Sequence, residues 1–316
     1  ESYLFIHPNS QGGVKPIRKD LPDVASSKEN AWAVPINWVG MNDIELPVLD
    51  RDDTGHVYQV PARVSVQVSL DKGDQRGIHM SRLYTLLRDR LSSEAIDYSH
   101  LEQLLKDLLD CQKGLSQNAR LEISFEKWIK CRALVSDEWG WRRYPVRLRF
   151  EEKNGEMNSH FSFEVLYSST CPASAALARH DLIGKLREQS DSGHWTIEAL
   201  EQWMEKESGG IATPHAQRSR ASIMLGFSDK GNPVRWKDWI ELAEKQLQTP
   251  VQTAVRREDE QEFARLNGQN NMFCEDAVRR LYSAFRQLAH LKSLEIRVCH
   301  FESLHPHDAV AEIYWP

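Results

Sequence analysis

The segment ARVSVQVSL at residues 62–70 alternates apolar and polar side chains along its whole length. A period of two places every second side chain on the same face of a β-strand, so the segment predicts a strand with one buried face. Two helices are predicted after it, at 81–91 and 100–115, because leucines recur there three and four residues apart. The other strands predicted in this half lie at 32–48, 121–134 and 145–152.

The second half of the chain repeats this order of elements. Alternating side chains predict strands at 160–167 and 220–227, and helical spacing predicts helices at 236–247 and 275–291. The closing strands are predicted at 294–300 and 309–315. Each half is therefore predicted to run strand-strand-helix-helix-strand-strand, which is typical of an antiparallel sheet with a helical pair on one face. The predicted fold class is α+β with a duplicated module.

The predicted domain organisation has three parts. Residues 1–30 are polar and proline-containing, which indicates an extended N-terminal arm. A first module is predicted at 31–155 and a second at 156–316. A helical insertion at about 180–210, ending at a pair of glycines, interrupts the second module, and we expect it to decorate the surface or a subunit contact.

The composition excludes several classes of protein. The 316-residue chain has a formal net charge of -6, so it lacks the basic field of a general nucleic-acid binder. No apolar run approaches the roughly 20 residues that span a bilayer. Five cysteines without paired spacing fit a reducing compartment. We therefore expect a cytoplasmic protein with neither nucleic-acid nor membrane partners.

Four soft or acidic side chains lie in polar, turn-rich segments. Cys171 follows a predicted strand, His215 precedes the next one, Glu260 lies in a charged run, and Glu275 opens a helix. A thiolate, an imidazole and carboxylates are a ligand set for a divalent transition metal, and a catalytic site keeps one position open for water. Because the spacing is dispersed, an inert cysteine, a turn histidine and acids that favour a helix dipole stay as alternatives.

The loop FESLHPHD at residues 301–308 joins the two closing strands. It concentrates a carboxylate, Glu302, and two imidazoles, His305 and His307. A buried carboxylate can accept paired N–H bonds from a guanine edge, and a histidine can transfer protons near neutral pH. A hydrated hairpin loop is the alternative interpretation.

The segment QRGIHMSR at residues 75–82 stands at a predicted helix start. Its Arg76, His79 and Arg82 lie beside the free N–H groups of the first helical turn. Cations and backbone donors in one place can bind an anion such as a phosphate. The alternative is an ordinary basic helix start.

Together these segments resemble the GTP cyclohydrolase IB family, a branch of the tunnelling-fold enzymes. The matching stretches are LPDV at 21–24, VGM at 39–41, RGIHMSR at 76–82, Cys171-Pro172, His215 with QRS at 217–219, 257–260, Glu275-Asp276, and ESLH with HDA within 302–309. The resemblance implies two tandem tunnelling-fold modules and a homotetramer. It also implies conversion of GTP and water to 7,8-dihydroneopterin triphosphate and formate, the first step of folate-type pterin biosynthesis.

The resemblance implies roles for individual residues. The implied ligands of one divalent transition metal (Zn²⁺, Mn²⁺ or Fe²⁺) are Cys171, His215, Glu260 and Glu275. The implied substrate-binding residues are Glu302, His307, Arg76, His79, Arg82 and Arg218. Glu302 would anchor the purine base. The implied catalytic residues are His305, Cys171 and His215, and His305 would be the acid that protonates the ring nitrogen.

One position departs from the family pattern. The family often has Cys-Pro-Cys-Ser where this chain has Cys171-Pro172-Ala173-Ser174. We expect the first cysteine to be the ligand, so that the site survives. The alternatives are another tunnelling-fold purine or pterin enzyme, which would share Glu302 but need not share the metal set, and a non-catalytic nucleotide-binding paralogue.

Overall fold

The computed structural model describes residues 32–189, 194–206, 210–227 and 234–316. Within them, eight strands form one antiparallel sheet in which the strands lie side by side in sequence order. The strands are β1 (Ile36–Arg51), β2 (Val57–Leu70), β3 (Ala119–Arg132), β4 (Trp139–Lys153), β5 (Glu156–Thr170), β6 (Ala216–Phe227), β7 (Leu291–His300) and β8 (Ala309–Trp315). The helices are α1 (Met80–Leu91), α2 (Tyr98–Cys111), α3 (Pro172–Glu188), α4 (Ile197–Lys206), α5 (Trp236–Leu247), α6 (Arg257–Gln269) and α7 (Cys274–Phe285).

The predicted α+β fold class is confirmed, including the repeat of strand pairs around helices. The boundary between the two predicted modules, after residue 155, coincides with the tight turn between β4 and β5 and stays a prediction. The arm predicted at 1–30 lies outside the described residues.

Three helix predictions differ from the structure. The insertion begins at Pro172 rather than near 180, directly after β5. Helix α6 was not predicted, because Asp259 is its only buried residue and it has no apolar stripe. The helix predicted at 275–291 ends at Phe285, and the one predicted at 100–115 ends at Cys111.

Helices α1, α2, α5 and α7 pack on one face of the sheet, where alternate residues of strands β1 to β7 are buried. In β2, Val64, Val66 and Val68 are completely buried, as the alternation in 62–70 predicts. The other face carries charged side chains and lines a groove of about 950 Å³. Among the helices of the described ranges, none is both long and apolar enough to cross a bilayer.

A buried ion pair ties the β1–β2 hairpin to β3. The Lys127 Nζ atom lies 2.8 Å from Asp50 Oδ2 and donates to the Arg51 carbonyl at 2.7 Å. The Lys127 and Asp50 side chains are only 5% and 7% exposed. The hydroxyl of Tyr58 donates to the same carboxylate oxygen at 2.8 Å. The buried Asp50 carboxylate therefore depends on Lys127 and Tyr58 for its hydrogen bonds.

Lys127→Ala should lower the free energy of unfolding by about 3–5 kcal/mol, because it leaves the Asp50 carboxylate buried without its cation. Chemical denaturation followed by circular dichroism measures this change. Lys130→Ala is the matched control, since Lys130 is exposed on the same strand and its Nζ atom lies 3.7 Å from the centroid of the Trp139 ring. The control should lose less than about 1 kcal/mol. Equal, small losses in both variants would contradict the prediction.

Candidate active site

The adjacent ends of β5 and β6 bring Cys171 and His215 together. The last residue of β5, Thr170, pairs with the first residue of β6, Ala216. One residue further out, the Cys171 N–H donates to the His215 carbonyl at 3.2 Å. Both side chains are partly exposed. The insertion thus begins and ends at neighbouring strands. For this reason Cys171 and His215 can meet although they are far apart in sequence.

The imidazole of His215 is held by side chains of the sheet. Its Nδ1 atom lies 3.1 Å from Gln217 Oε1 and 3.9 Å from Glu302 Oε2. The Gln217 amide in turn donates to Ser169 Oγ at 3.1 Å, and the hydroxyls of Ser169 and Ser219 are 2.8 Å apart. Among the described residues, the polar contacts of this ring all involve Nδ1.

Glu302 reaches this cluster from the loop after β7. The N–H of Phe301 donates to the Arg218 carbonyl at 3.1 Å, which continues the pairing of β7 with β6 by one residue. The Glu302 side chain is 14% exposed, so its carboxylate is available to a ligand from one side only. His305 and His307 lie further along the same loop, are exposed, and stack with ring centroids 5.0 Å apart.

The start of α7 lies beside the end of β5. The Met272 N–H donates to the Thr170 carbonyl at 3.1 Å, and Cys274 Sγ donates to Glu275 Oε2 at 3.2 Å in the first turn of the helix. Hydrogen bonds from the backbone N–H of Glu275 and from Cys274 lower the pKa of the Glu275 carboxyl. Glu275 therefore lies at the same end of the sheet as Cys171 and His215.

Two buried residues under this site were missed by the sequence analysis. The hydroxyl of Tyr167 and Nε2 of His300 are 2.8 Å apart, and burial lowers the pKa of His300 from 6.5 to about 4. Burial also raises the pKa of Tyr167. His300 is therefore a neutral imidazole at pH 7 and shares one hydrogen bond with the Tyr167 hydroxyl. The signal was available, because the alternation in β5 and β7 places both residues on the helix-covered face.

Glu260 is not brought to the pair of Cys171 and His215. It is exposed in the first turn of α6, where its neighbour Asp259 is fully buried and accepts the N–H groups of Val135 and Ser136. Throughout the described ranges, no three His, Cys, Asp or Glu side chains are grouped so that they could hold a metal ion. A single chain therefore does not assemble the four ligands implied by the sequence.

The basic cluster of Arg76, His79 and Arg82 lies at the opposite end of the sheet. It follows β2, whose last residues pair with the start of β3. The start of β3 pairs with the end of β4, and the end of β4 pairs with the start of β5. The basic cluster therefore lies at the end of the sheet where β5 begins. Cys171 follows the other end of β5, a strand of 15 residues that spans roughly 45 Å at about 3.3 Å per residue. One nucleotide cannot touch both clusters of one chain.

Arg218 lies on β6 between Gln217 and Ser219. Since both neighbours are buried under the helices, the alternation of the strand turns the exposed Arg218 side chain to the helix-free face. In one chain Arg218 therefore lies at the same end of the sheet as Cys171, but its side chain is on the opposite face.

The fold is similar to that of a solved uricase. The crystal structure of a hyper-thermostable AgUricase mutant matches with a TM-score of 0.50 and 10% sequence identity, covering 88% of this chain and 91% of the uricase. At that identity the likeness concerns the fold alone. It confirms the predicted fold class, the tunnelling fold.

The sequence comparisons narrow this class to one family. The model of the family described as Type I GTP cyclohydrolase folE2 matches residues 21–311. The protein named GTP cyclohydrolase FolE2 of Hydrogenovibrio crunogenus is 41% identical over 291 residues, which cover 92% of this chain and 93% of that protein. Its namesake in Pseudomonas putida is 43% identical over 300 residues, with coverages of 93% and 96%. The chain belongs to the type I GTP cyclohydrolase folE2 family, and the predicted enzyme class, a GTP cyclohydrolase, is confirmed.

Proposed function

We propose that this chain is a GTP cyclohydrolase of the IB type, which opens the guanine ring of GTP with water to form 7,8-dihydroneopterin triphosphate and formate. The observation that carries the proposal is the meeting of Cys171 and His215 at the ends of β5 and β6, with Glu302 beside the imidazole. Because all five cysteines are free thiols, we also propose that the enzyme acts in the cytoplasm.

The side chains of Cys171 and His215 fit a divalent transition metal. Within the described part of the chain, Cys171 Sγ has no hydrogen-bond partner, and the contacts of His215 engage Nδ1 and leave Nε2 open. Cys171 is also the N-cap of α3, where the helix dipole favours negative charge. An ion bound here would supply activated water near neutral pH. Zinc, manganese and iron(II) suit these donors. Glu275, at the same end of the sheet, is a proposed further ligand, and Glu260 is proposed to reach the ion from a second copy of the chain.

The substitution of the family's second cysteine by Ala173 is compatible with this site. Ala173 is exposed in the first turn of α3, whereas Cys171 stands at the strand end beside His215. A thiol at position 173 is therefore not needed to bring the Cys171–His215 pair together.

The carboxylate of Glu302 is proposed to bind the guanine edge. It is partly buried, and a carboxylate accepts two parallel N–H bonds from such an edge. His305, three residues further along the loop, is proposed to donate the proton to the ring nitrogen as its C–N bond breaks, and His307 to bind the substrate beside it.

The triphosphate is proposed to bind Arg76, His79, Arg82 and Arg218. Because the first three lie at the far end of the sheet from Cys171, they would serve a site that a second copy of the chain completes. We therefore propose a homo-oligomer, a tetramer, in which each site combines residues of more than one copy.

The test is to incubate the full-length protein with GTP after loading it separately with Zn²⁺, Mn²⁺ and, without oxygen, Fe²⁺. We expect formate release and, after oxidation, a fluorescent pterin with at least one of the metals. Chelator-treated protein is the control and should be inactive. If none of the three metals produced pterin, the proposed reaction would be wrong.

A further inference from the structure

A chain of buried hydrogen bonds runs from His215 into the sheet. Gln217 lies at its centre, with Oε1 at 3.1 Å from His215 Nδ1 and Nε2 donating to Ser169 Oγ at 3.1 Å. Ser169 and Ser219 are completely buried, and Gln217 is 8% exposed. Water is thus largely excluded from these groups, so each of them depends on its protein partner.

Both neighbours of His215 Nδ1 are acceptors. Gln217 presents its amide oxygen, and the Glu302 carboxylate lies 3.9 Å away. A neutral imidazole has one proton, and two acceptors on the same side hold that proton on Nδ1. A reversed amide would instead need an unprotonated Nδ1, whose lone pair would face the Glu302 carboxylate unfavourably. The unprotonated nitrogen of His215 is therefore Nε2, which is available to bind a metal.

The first module carries no counterpart of this arrangement. The pairing of Ser169 with Gln217 between β5 and β6 corresponds to the pairing of Asp50 with Tyr58 between β1 and β2. There Asp50 accepts hydrogen bonds from Tyr58 and from Lys127 within the buried ion pair. The buried amide is thus not a general requirement of this strand pair.

We propose that Gln217 is a positioning residue that holds His215 in the Nδ1–H form and directs Nε2 to the metal. The inference rests on the proposed function, because it assumes a metal at Cys171 and His215. Partners that orient a ligating histidine typically contribute 10–100-fold in metal affinity, so we expect a loss of about that size without the Gln217 acceptor.

The first measurement is the affinity of the metal-free, full-length protein for Zn²⁺, determined by competition with a chromophoric chelator. Gln217→Leu should bind Zn²⁺ about 10–100-fold more weakly, whereas Gln217→Glu, which keeps an acceptor, should stay within about threefold of the wild type. Gln67→Leu is the matched control, because Gln67 lies near the opposite end of the sheet and bonds Arg120. It should bind Zn²⁺ like the wild type.

The second measurement is the tautomer of His215 in metal-free protein labelled with ¹⁵N-histidine, with His215→Asn used to assign the resonances. We expect an Nδ1–H ring in the wild type and in Gln217→Glu, and a mixed ring in Gln217→Leu. A merely structural role for Gln217 would not change the tautomer.

The outcomes separate the two proposals. Unchanged Zn²⁺ affinity and an unchanged tautomer in a folded Gln217→Leu would overturn the role of Gln217 and leave the metal site standing. An Nε2–H ring in the wild type would do the same. A wild-type protein that binds none of Zn²⁺, Mn²⁺ and Fe²⁺ would overturn the metal site, and the inference with it. If Gln217→Leu does not fold, the wild-type tautomer and Gln217→Glu decide.

Discussion

Replacing Cys171 by alanine should abolish metal retention and lower GTP turnover by roughly a thousandfold or more. The reason is that the variant removes the sulfur that lies beside His215, and activation of water near neutral pH depends on the bound ion. Metal content after gel filtration and pterin formation after oxidation measure the two effects. The fold should persist, since Cys171 is partly exposed at a helix N-cap and buries little surface.

Cys131→Ala is the control for this substitution. Cys131 is also a partly exposed free thiol at a strand end, but it lies on β3 and contacts Tyr144 rather than His215. It should keep its metal and most of its activity. If Cys171→Ala retained metal and turned over GTP like Cys131→Ala, the ligand would be misassigned.

Two inactive variants should restore each other's activity when they share an oligomer. Cys171→Ala and the double variant Arg76→Ala/Arg82→Ala impair opposite ends of the same sheet. If each site takes its thiol from one copy and its cations from another, random mixing leaves about a quarter of the sites intact. Co-expression with two different tags and tandem purification would isolate the mixed oligomers, whose pterin formation should approach about a quarter of the wild-type rate.

A pair of variants within one cluster is the control for complementation. Cys171→Ala and His215→Ala impair neighbouring residues of the same chain, so mixing them should leave every site defective. Recovery in this control, or no recovery in the Cys171 and Arg76/Arg82 mixture, would contradict a site shared between copies. A mixture that runs entirely as monomers would contradict it as well.

Most of the fold was predictable because its signals are local. The alternation at 62–70 and the leucine spacing at 100–115 each depend on neighbours within one element, and they identified β2 and α2 directly. Helix α6 was not predicted because its buried residue is the polar Asp259, so it has no apolar pattern. The first residues of β6, before residue 220, were not predicted because the buried residues there, Gln217 and Ser219, are polar.

The candidate residues were also named from the sequence, yet their arrangement was not predictable. Cys171 and His215 become neighbours only because the insertion leaves β5 and returns to β6. Arg76 and Arg82 prove to be remote from them only once the register of β2 through β5 is known. Register is decided by hydrogen bonds between distant segments, which no local pattern contains.

The sequence by itself determined the α+β class, the duplicated order of strands and helices, and the residue types from which a metal and purine site could be built. Periodicity and residue chemistry are properties of short segments, and for that reason they can be read without coordinates. The tertiary structure decided which of those residues share a site, which nitrogen of His215 stays open, and that Arg76, His79 and Arg82 of one chain lie at the far end of the sheet from that site. Each of these depends on the pairing of strand ends and on burial, which exist only in the folded chain.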